Sequence, residues 1–311
     1  MEMACGTLYY SAPLTPGGRE DNWHYDAVSD PPNVTSNFLT TGIDVDVTDL
    51  RSVALRPTLD VWGFEKLDFP TGVNQADLSD SDPEAINAYC DETTSYLKAV
   101  LGADEVVLFD TVIRHKDTES PAKPNGSPFV APYMRVHVDQ NPRSALARLK
   151  HHVGFDAKLR RFQILNVWRP LVIPVRNYPL ALCDYQTLNP ERDLISTRRL
   201  LPEWMHELWV QDREGYSLKH HPNHRWYYWR HLTPDEAIVF KCHDSASISL
   251  ALGPEGRDAR KQDLVGSAEF DLLDVSGVCP HTAFFDPLSQ DQGHLRSSVD
   301  VRMLALYNSG P

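Results

Sequence analysis

RVHVDQ, residues 135–140, lies within the segment PYMRVHVDQNPRS (132–144) and predicts a β-strand. Because strand side chains alternate between the two faces of a sheet, Val136 and Val138 would point to one face, and His137 and Asp139 to the other. An imidazole and a carboxylate that project from the same face of one strand can bind the same metal ion. His137 and Asp139 are therefore candidate metal ligands, and the rest of the chain must supply the third.

The C-terminal half offers two histidines for this third position, His243 in FKCHDS and His281 in CPHTAFF. Two histidines and one carboxylate form a ligand set that is typical of non-haem Fe(II) and leaves positions open. His281 is followed by Arg296 and Arg302, and a guanidinium group can bind a carboxylate through two hydrogen bonds. The arginines after His243 lie in a polar loop, GPEGRDARKQD. If the site binds a carboxylate-bearing small molecule beside the metal, an arginine on a nearby strand is needed. This favours His281 as the third ligand, with His243 as the alternative.

The order of the predicted elements indicates a mainly β protein with flanking helices. A helix is expected from Ser81 or Asp82 to about Leu101. A capping side chain and Pro83 stand at its start, the residues that follow contain no Gly or Pro, and Gly102 comes directly after it. Most later elements are short strands separated by turns, which is typical of a sandwich or barrel. We expect a second short helix at 142–154, paired strands at 225–232 and 237–245, and strands at 279–287 and 297–307.

The region before this core differs in composition. Residues 1–80 are rich in Pro, Asp, Thr, Gly and Asn, which predicts an irregular region with a few short strands. We therefore expect a single compact domain in which an N-terminal irregular and helical region, 1–104, packs on a core of residues 105–311. The polar stretch 115–128 is expected to be a surface loop and is a candidate lid.

Composition excludes several classes of protein. The net charge of −13 and the lack of a basic block argue against a nucleic-acid binder. No apolar run reaches the roughly 18 residues that a membrane-spanning helix needs, and no signal peptide is recognisable. The five cysteines are odd in number and form no CxxC pair, which predicts neither a disulfide framework nor a structural zinc site. We expect a cytoplasmic protein in a reducing environment.

Five segments taken in order resemble a known family. They are RVHVDQ, NVWRPL with PLALCD, RWYYWRHLTPDEAIVFKCHDS, PHTAFFDP and RSSVDVRMLALY. They span roughly residues 100–307 and are similar to secondary-metabolite oxygenases of the gibberellin desaturase and aspergillic-acid hydroxylase type, which are related to the cephamycin 7α-methoxylation protein. This resemblance implies a double-stranded β-helix, or jelly roll, and a dependence on Fe(II), 2-oxoglutarate and O₂.

The resemblance also implies roles for individual residues. His137, Asp139 and His281 would bind the iron, and either Arg296 or Arg302 would bind 2-oxoglutarate. Ser297 follows Arg296 where the family pattern has a Glu, so the choice between the two arginines stays open.

Further residues are candidates for the cosubstrate or substrate pocket. Asn166, Trp168 and Arg169 form a polar and aromatic cluster, although Trp168 could instead be core and Arg169 part of a turn. Tyr227 or Tyr228 could donate a hydrogen bond to 2-oxoglutarate, and we select Tyr228.

The implied function is oxidation of a small molecule. The family hydroxylates, desaturates or oxidatively cyclises secondary-metabolite intermediates, so the expected partner is a natural-product intermediate. We expect no binding to nucleic acid or to a membrane. A homodimer is a possible assembly. Two alternatives stay open: a cupin-like protein that binds a metal or small molecule without 2-oxoglutarate chemistry, and an inactive partner subunit of a homologous oxygenase.

Overall fold

A computed structural model of the chain describes residues 3–13, 22–25, 36–115, 132–154, 159–171, 177–200, 214–254, 256–257, 270–287 and 296–308. Within these ranges the strands form two sheets, one of nine strands and one of five. No helix in the described part of the chain is long and apolar enough to cross a membrane. Apart from residue 115, the candidate lid at 115–128 lies outside the described residues.

The strands alternate along the chain with short helices. The strands are β1 (Met3–Pro13), β2 (Asn22–Tyr25), β3 (Phe38–Asp49), β4 (Phe64–Asp68), β5 (Glu105–His115), β6 (His137–Val138), β7 (Leu159–Pro170), β8 (Leu180–Cys183), β9 (Leu194–Leu200), β10 (Glu214–Leu218), β11 (Trp226–Tyr228), β12 (Glu236–Asp244), β13 (His281–Ala283) and β14 (Ser297–Asn308). The helices are α1 (Leu59–Trp62), α2 (Gln75–Ser79), α3 (Pro83–Leu101), α4 (Pro142–His152), α5 (Pro190–Asp193) and α6 (Ile248–Ala251), with 3₁₀ turns at Leu50–Ser52 and Tyr185–Thr187.

Most neighbouring strands are antiparallel. The larger sheet has the order β1-β3-β11-β8-β13-β6-β10-β9-β2, and the smaller sheet has the order β4-β12-β7-β14-β5. Only β3 with β11 and β2 with β9 run parallel among the described ladders of these sheets. The mainly β architecture with flanking helices is confirmed.

Helix α3 follows from its local sequence as expected. The side chain of Asp82 accepts a hydrogen bond from the backbone N–H of Ala85, Pro83 occupies the first turn, and Gly102 ends the helix with a φ of 61°. The face that packs inward contains Tyr89, Cys90, Thr93 and Leu97, which recur at helical spacing. The predicted helix at 142–154 is likewise confirmed as α4.

Three apolar clusters fill the molecule. The first lies between the two sheets and includes Phe64, Phe162, Trp168, Leu182, Tyr227, Phe240 and Leu304. The second cluster lies on the other face of the smaller sheet, where helix α3 packs. The third cluster contains residues of β1 and β3 together with the residues of β6 and β8 that point away from the first cluster. The candidate metal ligands lie beside the first cluster, on β6 and β13 and directly after β6.

The structure corrects three sequence-based expectations. Segments 225–232 and 237–245 are not paired, because β11 joins the larger sheet and β12 the smaller one. Strands of residues 1–104 belong to both sheets, rather than to an irregular layer around the core. Strand β7 continues to Pro170, opposite Ser298, without the turn that was the alternative for Arg169. Pro170 lies beyond Trp168, the last residue of β7 that is paired with β12, so its missing N–H removes no hydrogen bond from that ladder.

Glu236, at the start of β12, provides a test of electrostatic stabilisation. Arg51, Lys66 and the backbone N–H of Thr233 donate to its carboxylate. Burial alone would raise its pKa, but these donors lower the pKa from 4.5 to about 2. The charged form therefore stabilises the fold above the ordinary pKa, and this contribution is lost as the pH falls through about 2.

We expect Glu236→Gln to lower the free energy of unfolding by about 1 kcal/mol at neutral pH, because the network is partly exposed. Urea unfolding between pH 7 and pH 2 would check this. The difference from the wild type should shrink as the pH falls below the ordinary pKa of 4.5. A difference that stays constant across this range would contradict the assigned role of the carboxylate charge.

Candidate metal centre

Three side chains from two distant segments of the sequence meet between the two sheets. His137 begins β6, Asp139 follows it, and His281 begins β13 directly opposite His137. One ligand atom from each residue lies within 4.8 Å of the others, and the three side chains are buried. Val136 and Val138 pack in the third apolar cluster on the other face, as the alternation of the strand predicts.

The two histidines are oriented by backbone carbonyls. Nδ1 of His137 lies 2.9 Å from the carbonyl oxygen of Arg135, and Nδ1 of His281 lies 3.0 Å from that of Cys279. A carbonyl can only accept, so each Nδ1 carries the hydrogen and each Nε2 is left with its lone pair. Burial, together with His137, lowers the pKa of His281 to about 3. The neutral ring is the form that binds a metal.

The carboxylate of Asp139 has two distinct oxygens. Oδ1 lies 3.4 Å from Nε2 of His137, on the side of the histidines. Oδ2 accepts a hydrogen bond of 2.8 Å from Nδ2 of Asn166 and lies 3.4 Å from Arg302. Burial alone would raise the pKa of Asp139, but Arg302 and His137 hold it well below the ordinary value. Two neutral imidazoles and one ionised carboxylate are a donor set that fits Fe(II).

Arg296 lines a cavity that also contains His137 and His281. Its Nη1 donates to the carbonyl of Tyr178 at 2.8 Å, its Nε donates to the hydroxyl of Ser298 at 3.3 Å, and its guanidinium lies 5.1 Å from the centre of the Trp168 ring. It forms no ion pair within the part of the chain that the structure describes.

Burial and the nearby Arg114 lower the pKa of Arg296 to about 9. A cation that is buried without a carboxylate partner fits an anionic ligand. Nε1 of Trp168 is also buried and finds no acceptor among the described residues. The cavity thus offers donors of the kind that a carboxylate binds.

Arg302 lines the same cavity but is surrounded by acids. It lies 2.9 Å from Asp110, 3.4 Å from Asp139 and 3.6 Å from Asp300. Burial opposes its charge, yet these three carboxylates raise its pKa above the ordinary value. Its guanidinium is therefore already neutralised by the protein, in contrast to that of Arg296.

Two residues predicted for the pocket lie elsewhere. Arg169 follows Trp168 in β7, so it points to the opposite face of the sheet, where it donates to the hydroxyl of Tyr89 and packs on Phe69. Tyr228 belongs to the third cluster, where its ring lies 5.2 Å from that of Phe284. Neither lines the cavity of Arg296, and both predictions are wrong because the side chain is on the outer face of its sheet.

His243 is not part of the ligand cluster. Its ring lies 5.2 Å from that of Phe162, in a separate small cavity, and its buried Nδ1 has no partner among the described residues. Burial lowers its pKa to about 4. The geometry therefore supports His281 rather than His243 beside His137 and Asp139.

The cavity also contains residues that sequence reasoning missed, namely Arg114, Tyr133, Phe240 and Asp300. Asp300 could have been found, because it shares the inward face of β14 with Arg302. Arg114 could not, because its place depends on the pairing of β5 with β14. The ring of Phe240 lies 4.5 Å from that of His281 and forms an apolar wall of the site.

Known proteins match the chain over most of its length. The family model described as Oxidoreductase/YMDC permease-like domain matches residues 8–254. The hydroxylase/desaturase efuI of Hormonema carpetanum is 30% identical over 278 residues, which cover 85% of this chain and 83% of the relative. The Fe(II)/2-oxoglutarate-dependent dioxygenase nvfI of Aspergillus novofumigatus is 26% identical and covers 92% of this chain and 91% of its own length.

A solved structure shares the fold. The iron and alpha-ketoglutarate-dependent endoperoxidase NvfI superimposes with a TM-score of 0.77 at 24% identity, and the match covers 99% of both chains. Together with the two facing sheets, this likeness confirms the double-stranded β-helix, or jelly-roll, fold.

Proposed function

The chain belongs to the Oxidoreductase/YMDC permease-like domain family, together with fungal hydroxylase/desaturases of secondary metabolism, and from this premise we propose its function. It is an Fe(II)- and 2-oxoglutarate-dependent oxygenase that hydroxylates, desaturates or oxidatively cyclises a small secondary-metabolite intermediate. The relatives named hydroxylase/desaturase and dioxygenase support this reaction class.

One observation carries the proposal. The ligand atoms of His137, Asp139 and His281 lie within 4.8 Å of one another, between sheets that bury all three side chains. Both imidazoles present Nε2 because their Nδ1 atoms face carbonyls. A site organised before the metal arrives needs little rearrangement to bind it, and three protein ligands leave further coordination positions open.

Arg296 is the residue that we assign to 2-oxoglutarate. Its guanidinium lies in the same cavity as the two histidines and has no carboxylate partner among the described residues, and the hydroxyl of Ser298 lies beside it. A fork of donors suits the distal carboxylate of this dianion. Arg302, the alternative from the sequence, is committed to three protein carboxylates.

When bound, iron and 2-oxoglutarate would together supply the O₂-dependent oxidation of a substrate C–H bond. The task of the protein is to bind, orient and exclude water. His281 and Asp139 hold the metal position, Arg296 orients the cosubstrate, and the rings of Phe240 and Trp168 keep the cavity apolar around it. The placement of the substrate then selects hydroxylation, desaturation or ring closure.

The direct test uses the wild-type protein. Anaerobic addition of Fe(II) and then 2-oxoglutarate to the metal-free protein should produce a weak charge-transfer band in the visible spectrum, and air should then yield succinate from 2-oxoglutarate. A metal titration that saturates without the band, and without succinate, would favour the cupin-like binding protein. Failure to bind Fe(II) would favour the inactive partner subunit.

The proposal includes a cytoplasmic location and a small natural-product intermediate as the substrate. A homodimer is the assembly that we would test for, by light scattering of the purified protein at several concentrations.

A further inference from the structure

The two oxygens of Asp139 are treated differently by the protein, and this difference carries an inference that rests on the proposed function. We propose that Asn166 and Arg302 are positioning residues that together hold Oδ2 of Asp139, so that Oδ1 alone is presented beside the histidines. We call this pair of residues the Asp139 clamp. It assigns to both residues a role other than direct contact with the cosubstrate.

Asn166 supplies the neutral half of the clamp. It is 1% exposed and lies on the inward face of β7, and its Nδ2 donates to Oδ2 of Asp139 at 2.8 Å. It is directly opposite Arg302 in the pairing of β7 with β14. The two clamp residues therefore approach the same carboxylate oxygen from neighbouring strands.

Arg302 supplies the charged half of the clamp and is itself fixed. Its Nη1 donates to Asp110 at 2.9 Å, and its Nε lies 3.6 Å from Asp300. Its Nη2 lies 3.4 Å from Oδ2 of Asp139. With the guanidinium held by two other carboxylates, the donor that faces Asp139 has little freedom to move.

The clamp matters because the terminal torsion of an aspartate side chain is soft. Rotation about this torsion would exchange the two oxygens or bring both toward the metal position. Hydrogen bonds from neighbouring side chains to a metal ligand orient it, and their loss weakens metal binding about 10- to 100-fold. Here the clamp occupies Oδ2 and leaves Oδ1 3.4 Å from Nε2 of His137.

A test must separate orientation from charge. Removing the charge of Arg302 would also relieve its repulsion of a bound cation, which acts in the opposite direction on metal affinity. Two substitutions avoid this confusion. Asn166→Ala removes a neutral donor, and Arg302→Lys keeps the charge while it removes the planar fork.

The chain provides a matched control for each substitution. Asp244 is a second buried carboxylate, and it accepts from Nε of Arg161 at 3.0 Å and from Nε2 of Gln163 at 2.9 Å, with Lys241 also in contact. Arg161 and Gln163 belong to β7, and Gln163 is 1% exposed like Asn166. Gln163→Ala and Arg161→Lys therefore remove the same interactions from a carboxylate outside the ligand cluster.

The experiment is a titration of the metal-free full-length protein with Co(II), followed by visible absorption, together with thermal unfolding of each metal-free variant. We expect Asn166→Ala and Arg302→Lys to weaken Co(II) binding about 10-fold or more. We expect Gln163→Ala and Arg161→Lys to bind Co(II) within about twofold of the wild type, although they lower the thermal stability as well.

Each outcome decides a different question. Wild-type Co(II) affinity in a folded Asn166→Ala protein would overturn the clamp, and so would equal losses in the clamp variants and their controls. If the wild type and His281→Ala bind Co(II) equally, the metal is elsewhere and the proposed function itself fails. Should Arg302→Lys not fold, the comparison of Asn166→Ala with Gln163→Ala still decides the proposal.

Discussion

Replacing His281 with alanine is expected to abolish Fe(II) binding at the site and all 2-oxoglutarate-dependent turnover. Among the described residues, His281 supplies one of the three protein ligand atoms of the cluster, and two remaining ligands would hold a divalent ion far more weakly. The measurement is the visible band formed by Fe(II) and 2-oxoglutarate under anaerobic conditions, followed by succinate formation in air. We expect both signals to fall below detection, as they should in His137→Ala and Asp139→Ala.

The matched control is His243→Ala. His243 is also a buried histidine, 5% exposed, but it lies beside Phe162 and outside the ligand cluster. Its loss should lower stability through the cavity it leaves, while the band and the turnover persist. A band that survives in His281→Ala and disappears in His243→Ala would overturn our assignment of the third ligand.

Replacing Arg296 with lysine is expected to raise the KM for 2-oxoglutarate about 10- to 100-fold, with a smaller effect on kcat. The reason is that a lysine keeps the charge but loses the fork that binds a carboxylate with two hydrogen bonds, and such charged bonds contribute about 1.5–3 kcal/mol each. Steady-state kinetics with 2-oxoglutarate as the varied substrate would measure this. Iron affinity, measured in the absence of 2-oxoglutarate, should stay unchanged.

Arg169→Lys is a close control for this variant. Like Arg296, Arg169 is buried, donates to one hydroxyl and one backbone carbonyl, and packs on an aromatic ring. It faces the second apolar cluster, through the rings of Phe69 and Tyr89, rather than the cavity. An equal rise in KM in both variants would mean that the effect comes from general loosening of β7 and β14, and Arg296 would lose its assigned role.

The clustering of the candidate ligands on one face could be predicted in part because it depends on local rules. Alternation along RVHVDQ places His137 and Asp139 on one face whatever the rest of the fold does. The same rule also shows why the prediction that Arg169 lines the pocket with Asn166 is wrong. The two residues are three apart on one strand, so their side chains cannot share a face. Parity along β14 predicts that Arg296 and Arg302 share a face, and both line the cavity together with Asp300, which has the same parity.

The remaining features depend on pairing between distant segments. The choice between Arg296 and Arg302 required the position of Asp110, which lies opposite Arg302 in β5. The choice between Tyr227 and Tyr228 required the partners of β11, which are β3 and β8. Non-local strand pairing of this kind leaves little signal in a single sequence, because many registers satisfy the same alternation.

The contact between β6 and β13 has a consequence for the lifetime of the protein. The two strands pair at one position, His137 opposite His281, and one further backbone hydrogen bond of 3.0 Å runs from Ala283 to the carbonyl of Tyr133, whereas β1 and β3 are paired from Met3 to Pro13. An ion held by both imidazoles would cross-link the two strands at this short contact. Local opening of the sheet at this point would then require release of the ion. The metal-free chain would open there more often and be degraded sooner.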